Sequence, residues 1–339
     1  MTTWDDLNAR ARGLSTHLLG RRFLEGLARA PDLPAVAAEL ERRGYVLEES
    51  ARASASALEL SARRAAAARL RTLGRWAGRR TATLAVIFED EDRRSVTALV
   101  RGAVQRAPAE LRLSGLISTP ELPERALEEL AGQSSAAAVV ALLAAWGHPL
   151  GRAAQPAAVG AEPDLLGLET AISRGFVQRA LDGARRAGRR GVLYRYVRQL
   201  IDIQNAYAAL VLSQDKEPRA AEQWLPGGRG IPITLFESAV ATREYAAAAR
   251  LLAPAFAGSR LAGVFARPDA HPAGLEGAVL GAVIADLEEL TRTDPLSPAP
   301  LLAYALRLRA EALDVRWLIW GISLGAPPGS LLEGLVAAK

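Results

Sequence analysis

The sequence predicts an all-α fold, and three observations carry that expectation. Apolar residues make up 50% of the 339 positions, enough for a large core, while aromatics make up only 5%. The chain is rich in Ala, Leu, Arg and Glu, which are the strongest helix formers. A sandwich or barrel would draw more on Val, Ile, Thr and aromatic residues. Apolar residues also recur at helical spacing along most of the chain, whereas strand alternation is poor throughout. At about 100–200 residues per domain, the length allows two or three domains.

The elements follow in order. Leu18, Phe23, Leu27, Val36 and Leu40 form one amphipathic pattern broken at Pro31-Asp32-Leu33-Pro34, where Asp and Pro predict a helix stop and restart. Ser54 to Gly78 predicts an Ala- and Arg-rich helix. Glu89 to Val104 predicts another, opening with Glu89-Asp90-Glu91-Asp92 at the positive end of its dipole. Thr83-Leu84-Ala85-Val86-Ile87-Phe88 is the best strand signal, although its neighbours favour a helix at least as much. Loops are expected at Gly147 to Pro163, Gln214 to Pro232 and Thr293 to Pro300, where Gly and Pro cluster.

A threefold internal echo runs through the chain. Three helices carry an acid, a polar or charged residue three on, and a branched aliphatic eight on. They are Glu91, Arg94 and Leu99; Asp202, Asn205 and Leu210; and Glu311, Asp314 and Ile319. The acids are 111 and 109 residues apart, close to a third of the chain. A second echo precedes them: Leu27-Ala28 before Val36 and Leu40, Leu130-Ala131 before Val139 and Leu143, and Val240-Ala241 before Leu251 and Leu252. Two matches in the same order at nearly one period predict three homologous helical modules, near 1–113, 114–222 and 223–339. The period exceeds that of solenoid repeats, so the pattern is domain triplication.

Composition excludes several chemistries. Cys is absent, which removes disulfides, thiolate zinc sites, iron–sulfur clusters and cysteine nucleophiles. The three histidines, His17, His148 and His271, are far apart and form no ligand pair, so no metal site is expected. Net charge is +5, carried by Arg, since Lys occurs only at Lys216 and Lys339. Over this length that is mild, and the Arg clusters lack interleaved aromatics or a known module, so no nucleic acid is expected. The N-terminus is acidic where a signal peptide would be basic. The longest apolar run, Ala136 to Trp146, is about half the roughly 20 residues a membrane span needs.

The repeated acids invite two readings. As general acid/base groups they would be three similar carboxylates with no His partner and no nucleophile, a poor basis for catalysis. As polar latches, Glu91, Asp202 with Asn205, and Glu311 with Asp314 would each pair with an Arg of the preceding helix or cap a neighbouring helix end. The latch is the expected role, and it would fix register more than it adds stability. Leu225-Pro226-Gly227-Gly228-Arg229-Gly230-Ile231-Pro232 lacks a GK[ST] ending, so it is expected to be an interhelical turn and not a phosphate loop. Trp317, Trp320 and Tyr304 fall in helical segments and are expected in the core.

Taken together, these residues resemble the C subunit of V/A-type rotary ATPases, the family of the eukaryotic subunit d. The resemblance is carried by Asp6-Leu7-Asn8-Ala9-Arg10-Ala11-Arg12 with Leu18-Leu19, by the helix from Glu91 to Gly102, by Gly147-His148-Pro149-Leu150, by Asp202-Ile203-Gln204-Asn205, by Leu225-Pro226-Gly227-Gly228, and by Glu311 to Gly321. It runs the whole length, and the ordered set is more specific than any one motif. Arg94 and Asp314 stand where the family has Asn, and Arg309 where it often has an acid.

The resemblance implies a funnel or socket with threefold pseudo-symmetry on the cytoplasmic face of the membrane ring of proteolipid subunits. The axle subunits D and F would plug into it, and the membrane stator subunit is a further candidate neighbour. It implies no catalytic residue, no cofactor and no small-molecule ligand, and a role in passing torque between ATP turnover and proton or sodium movement. Arg101, Arg316 and Trp320 are the candidate partner contacts, because they lie beyond the acids on the same helices. Two alternatives stand beside this expectation: a helical scaffold or regulatory paralogue without rotary partners, and a nucleotide binder using Gly227 to Gly230.

Overall fold

The computed structural model describes residues 4–47, 52, 54–160, 164–215, 220–267 and 272–336. Among these every regular element is helical. In order they are α1 (Asp5–Ser15), α2 (Arg21–Leu27), α3 (Leu33–Arg42), α4 (Ala55–Ala77), α5 (Thr81–Val104), α6 (Ala109–Leu113), α7 (Glu124–Ala131), α8 (Ala136–Ala145), α9 (Pro149–Ala154), α10 (Leu165–Ala187), α11 (Val192–Leu212), α12 (Ala220–Gln223), α13 (Ile233–Ala241), α14 (Tyr245–Leu252), α15 (Leu261–Phe265), α16 (Pro272–Thr293), α17 (Ala299–Ser323) and α18 (Pro328–Glu333). Short 3₁₀ turns span Gly78–Arg80, Gln155–Ala157 and Ala253–Phe256.

Local chemistry sets the boundaries. Asp32 accepts the N–H of Ala35 at 2.9 Å and starts α3, with Pro34 in its first turn. Ser54 accepts from Ala57 and starts α4, and Ser135 accepts from Ala138 at 3.1 Å and starts the apolar α8. Two expectations need correction. Helix α5 begins at Thr81 and not at Glu89, so the Thr83 to Phe88 run is helical, as its neighbours favoured. The four acids therefore sit in the middle of a helix and not at its positive end. The expected loop after Gly147 also contains a short helix, α9, which Pro149 opens and His148 caps by accepting the N–H of Leu150 at 3.3 Å.

The chain divides into two compact units. The first comprises Met1–Thr81, Ala107–Gly132 and Glu276–Lys339. Its centre is α17, which packs along α4 and also meets α1, α2, α3 and α18. Leu24, Leu27, Val36, Leu40 and Leu58 close on Val315, Leu318 and Ile319, with Leu331 and Leu335 folding back onto them. Residues from both ends of the sequence thus share one core, and burying them removes several large aliphatic side chains from water at about 1.5–3 kcal/mol each.

The second unit comprises Ala82–Arg106 and Gln133–Leu275. Helices α10 and α11 form a hairpin across a four-residue link, and α9 packs between α8 and α10. That packing uses small residues. A Cβ at Gly151 would run into the α8 backbone at Leu143 and Ala144, so the two helices touch nearly backbone to backbone. Phe176, Phe236 and Phe265 are the largest fully buried side chains here.

Two glycines of opposite kind give a test. Gly151→Ala is expected to lower stability by about 1–3 kcal/mol, because α9 must shift away from α8. Gly13→Ala, exposed in the last part of α1 with nothing within 4 Å, is expected to raise it by about 0.5–1 kcal/mol. Urea unfolding midpoints at constant slope measure both.

Candidate functional site

Asp202 and Asn205 lie buried on α11, at 3% and 0% exposure. The Asp202 carboxylate accepts three backbone N–H groups, from Arg229 (2.8 Å), Gly230 (2.8 Å) and Ile231 (3.0 Å). Asn205 makes a two-way bond with Leu225, donating Nδ2 to its carbonyl at 2.9 Å and accepting its N–H at 2.8 Å. Arg198, one turn back from Asp202, donates to the Gly228 carbonyl at 2.7 Å. The whole Leu225 to Ile231 loop is therefore clasped by one face of α11. Glycine is required there: Gly227 has φ +104°, and a Cβ at Gly228 would strike the Asp202 carboxylate. Burial pushes the Asp202 carboxyl above the usual carboxylate range, against the opposing pull of its three N–H donors and Arg198.

This geometry bears on the nucleotide-binding alternative. A phosphate loop needs free backbone N–H groups converging on the anion. Those of Arg229, Gly230 and Ile231 already converge on the chain's own carboxylate. The partners also differ from the Arg of a preceding helix, since Asp202 is held by the backbone of a following loop.

Glu311 on α17 is 3% exposed and occupies a comparable position in the first unit. It accepts the backbone N–H of Leu19, the Tyr45 hydroxyl at 2.8 Å and the Arg69 guanidinium. Arg69 belongs to α4, not to the helix preceding α17, and its guanidinium also stacks on the Tyr45 ring at 5.4 Å. Asp314, three residues on and 1% exposed, accepts the N–H of Val336 at 2.7 Å. One face of α17 thus holds the loop before α2 and the end of the described chain. Glu91 on α5 is 8% exposed and lies in a polar stretch with Asp90, Asp92 and Arg93, all of them buried. There Asp90 takes Arg93 at 2.7 Å and Arg94 at 3.0 Å, and His148 Nε2 lies 3.8 Å from Asp92.

The three candidate contact residues fall differently. Arg101 is exposed and ion-paired with Glu169, Nη2 to Oε2 at 2.8 Å. Arg316 lies over Gly115, where its guanidinium fills the space a Cβ would need. Trp320 donates its indole N–H to Glu59 at 2.6 Å. Tyr304 is core, as expected, at 1% exposure, but Trp317 is 46% exposed, with its indole N–H on the Leu331 carbonyl. Trp317 is half outside because α17 turns that face past α18.

Sequence reasoning missed Glu59. It is 3% exposed and accepts from the Ser114 hydroxyl (2.9 and 3.0 Å), the Gly115 N–H (2.5 Å) and Trp320. The signal was present, since Glu59 is the sole acid in the Arg-rich α4 sequence. Asn8 was named only as part of the N-terminal motif, with no role assigned to it. It is 2% exposed and donates to the carbonyls of Pro295 (3.0 Å) and Ser297 (2.8 Å). No group of His, Asp and Glu able to hold a metal occurs among the described residues. No described helix is long and apolar enough to cross a membrane.

A family model described as ATP synthase (C/AC39) subunit matches residues 7–333. The chain belongs to the ATP synthase (C/AC39) subunit family. The match takes in most of both units, the Leu225 to Ile231 loop, Leu19 and all three repeated acids. No curated protein sequence matches the chain. Membership of this family makes the chain a subunit of a V/A-type ATP synthase, and it settles the resemblance read from the ordered motifs.

The Glu311 cluster gives a pH test. Burial, and then the Glu311 carboxylate, raise Tyr45 well above the ordinary phenol range. Burial pushes Tyr304 up to about 12. A phenol raised in the folded state contributes stability fully below its unfolded value near 10, and that contribution is lost as pH climbs through its folded value. Stability is therefore expected to fall between about pH 10 and about pH 12. Tyr304→Phe should flatten that fall. It should leave stability within about 1 kcal/mol at neutral pH, because Tyr304 Oη has no protein hydrogen-bond partner. Urea midpoints on both sides of this window check both statements.

Proposed function

We propose that the chain is a non-catalytic central-stalk subunit of the rotor, a socket that couples an axle of D and F subunits to the membrane proteolipid ring. In this reading it is peripheral, sits on the cytoplasmic face and transmits torque between ATP turnover and ion movement. The family match over 7–333 is the observation that carries it.

The geometry adds physical support. A part that carries torque must resist shear between its helices. Long helices locked to loops by multiply bonded buried carboxylates have that property, because sliding one element strands several donors at about 1–3 kcal/mol each. The three-module reading of 1–113, 114–222 and 223–339 draws support from a shared rule. Asp202, in the second third, clasps the loop that opens the last third. Glu311, in the last third, clasps Leu19 in the first. Two of the three repeated acids thus hold chain that belongs to another third of the sequence, as this reading expects. Glu91, Asp202, Asn205, Glu311 and Asp314 act in this reading as latches, and chemistry is left to other subunits. Arg101, exposed on α5, remains the candidate for a partner contact, whereas Arg316 and Trp320 serve inside the chain.

Affinity purification of the tagged full chain from gently solubilised host membranes, followed by mass spectrometry, tests the proposal. Recovery of the D and F axle subunits with the proteolipid ring is the expected result. Recovery of the chain alone, or with unrelated proteins only, would overturn the rotor role and favour a scaffold without rotary partners.

A further inference from the structure

The α10–α11 hairpin ends in a cationic cap. Between Asp182 and Arg195 the chain carries five arginines, Arg185, Arg186, Arg189, Arg190 and Arg195, against the single carboxylate of Asp182. All five are exposed. Asp182 engages Arg185 at 3.1 Å, and the other four make no ion pair among the described residues. The whole chain has a formal charge of only +5, so this one tip concentrates almost the equivalent of it.

The placement works against local stability. Arg185 and Arg186 suit the negative end of α10, but Arg189 and Arg190 stand just ahead of α11, at the positive end of its dipole. The first turn of α11 holds no acid to offset them. A basic tip that breaks the local rule without an internal partner points outward, to an anionic partner. Another link between long helices, from α4 to α5, shows the usual alternative: there Arg80 is bonded to Asp6.

The shape narrows the partner. The cations surround the end of a hairpin, interspersed with Gly183, Ala184, Ala187, Gly188 and Gly191. They are gathered at one end of a helix pair and not spread along a helix. Nucleic acid would want exposed aromatics for stacking. Tyr196 is buried, and Tyr194 is half-buried under the Arg198 guanidinium. We propose that the α10–α11 tip docks on the anionic phospholipid headgroups of a membrane. The choice of lipid over another polyanion rests on the reading of the chain as a peripheral part of a membrane complex.

The test is sedimentation of the purified full chain with phosphatidylcholine vesicles, with and without about 30 mol % phosphatidylglycerol, at low and physiological salt. Binding to the anionic vesicles alone, weakening as salt rises, is expected. The combined Arg185→Ser, Arg186→Ser, Arg189→Ser and Arg190→Ser variant should lose at least about tenfold in partitioning. A control with Arg12, Arg22, Arg29 and Arg125 changed to Ser removes the same charge elsewhere and should lose less than about twofold. Lysine at the four tip positions should restore binding, and thermal melting should show the tip variant folded, with a midpoint within about 5 °C of the parent. Equal losses in tip variant and control, or binding to duplex DNA with none to vesicles, would overturn the inference. Recovery of the axle and ring with the tip variant separates the two claims: it leaves the rotor role standing whatever the vesicles show.

Discussion

A carboxylate buried in a helical core must find donors, and this chain finds them in loop backbone. An isolated ionised carboxylate in an apolar interior is prohibitively costly, and multiple N–H donors make it tolerable. Asp202 takes three backbone N–H groups from one loop, and Glu311 takes one backbone N–H, a phenol and a guanidinium. Helices α11 and α17 thereby fix chain that has no regular structure of its own. The glycines of Leu225 to Ile231, the position of Tyr45 and the course of the segment before α2 all follow from where those carboxylates sit.

Close helix contacts in this chain rest on small residues. Ala and Gly let helices approach closely, as at Gly151 against α8, but such contacts bury little area and specify register weakly. The polar clasps supply the register. Glu59, with Ser114, Gly115 and Trp320, repeats the logic between α4 and α17.

Much of this was legible in the sequence. The helical class, the stop at Pro31 to Pro34, the Ser54 start of α4 and the family itself all rest on local pattern or ordered motifs. The repeated acids could be picked out because an acid, a polar or charged residue and a branched aliphatic recur in the same order at nearly one period. Their partners could not, because the N–H of Leu19 and the guanidinium of Arg69 lie hundreds of residues from Glu311 and carry no signal in the sequence. Glu89 to Asp92 misled for a physical reason: acids favour a helix start, but here Arg93 and Arg94 neutralise Asp90 inside a longer helix. Trp317 misled because aromatic residues are usually core, and only the course of α18 decides which face of α17 stays open.

Amide hydrogen exchange of the full chain is the most direct check on the claim that buried carboxylates hold the loops. The amides of Leu19, Arg229, Gly230, Ile231 and Val336 lie outside regular helices, yet all donate to buried carboxylates. They are predicted to exchange as slowly as helix-core amides. In Asp202→Ala, Arg229, Gly230 and Ile231 should lose protection while Leu19 and Val336 keep it. Exchange of these five amides at the rate of open loops in the parent protein would contradict the account.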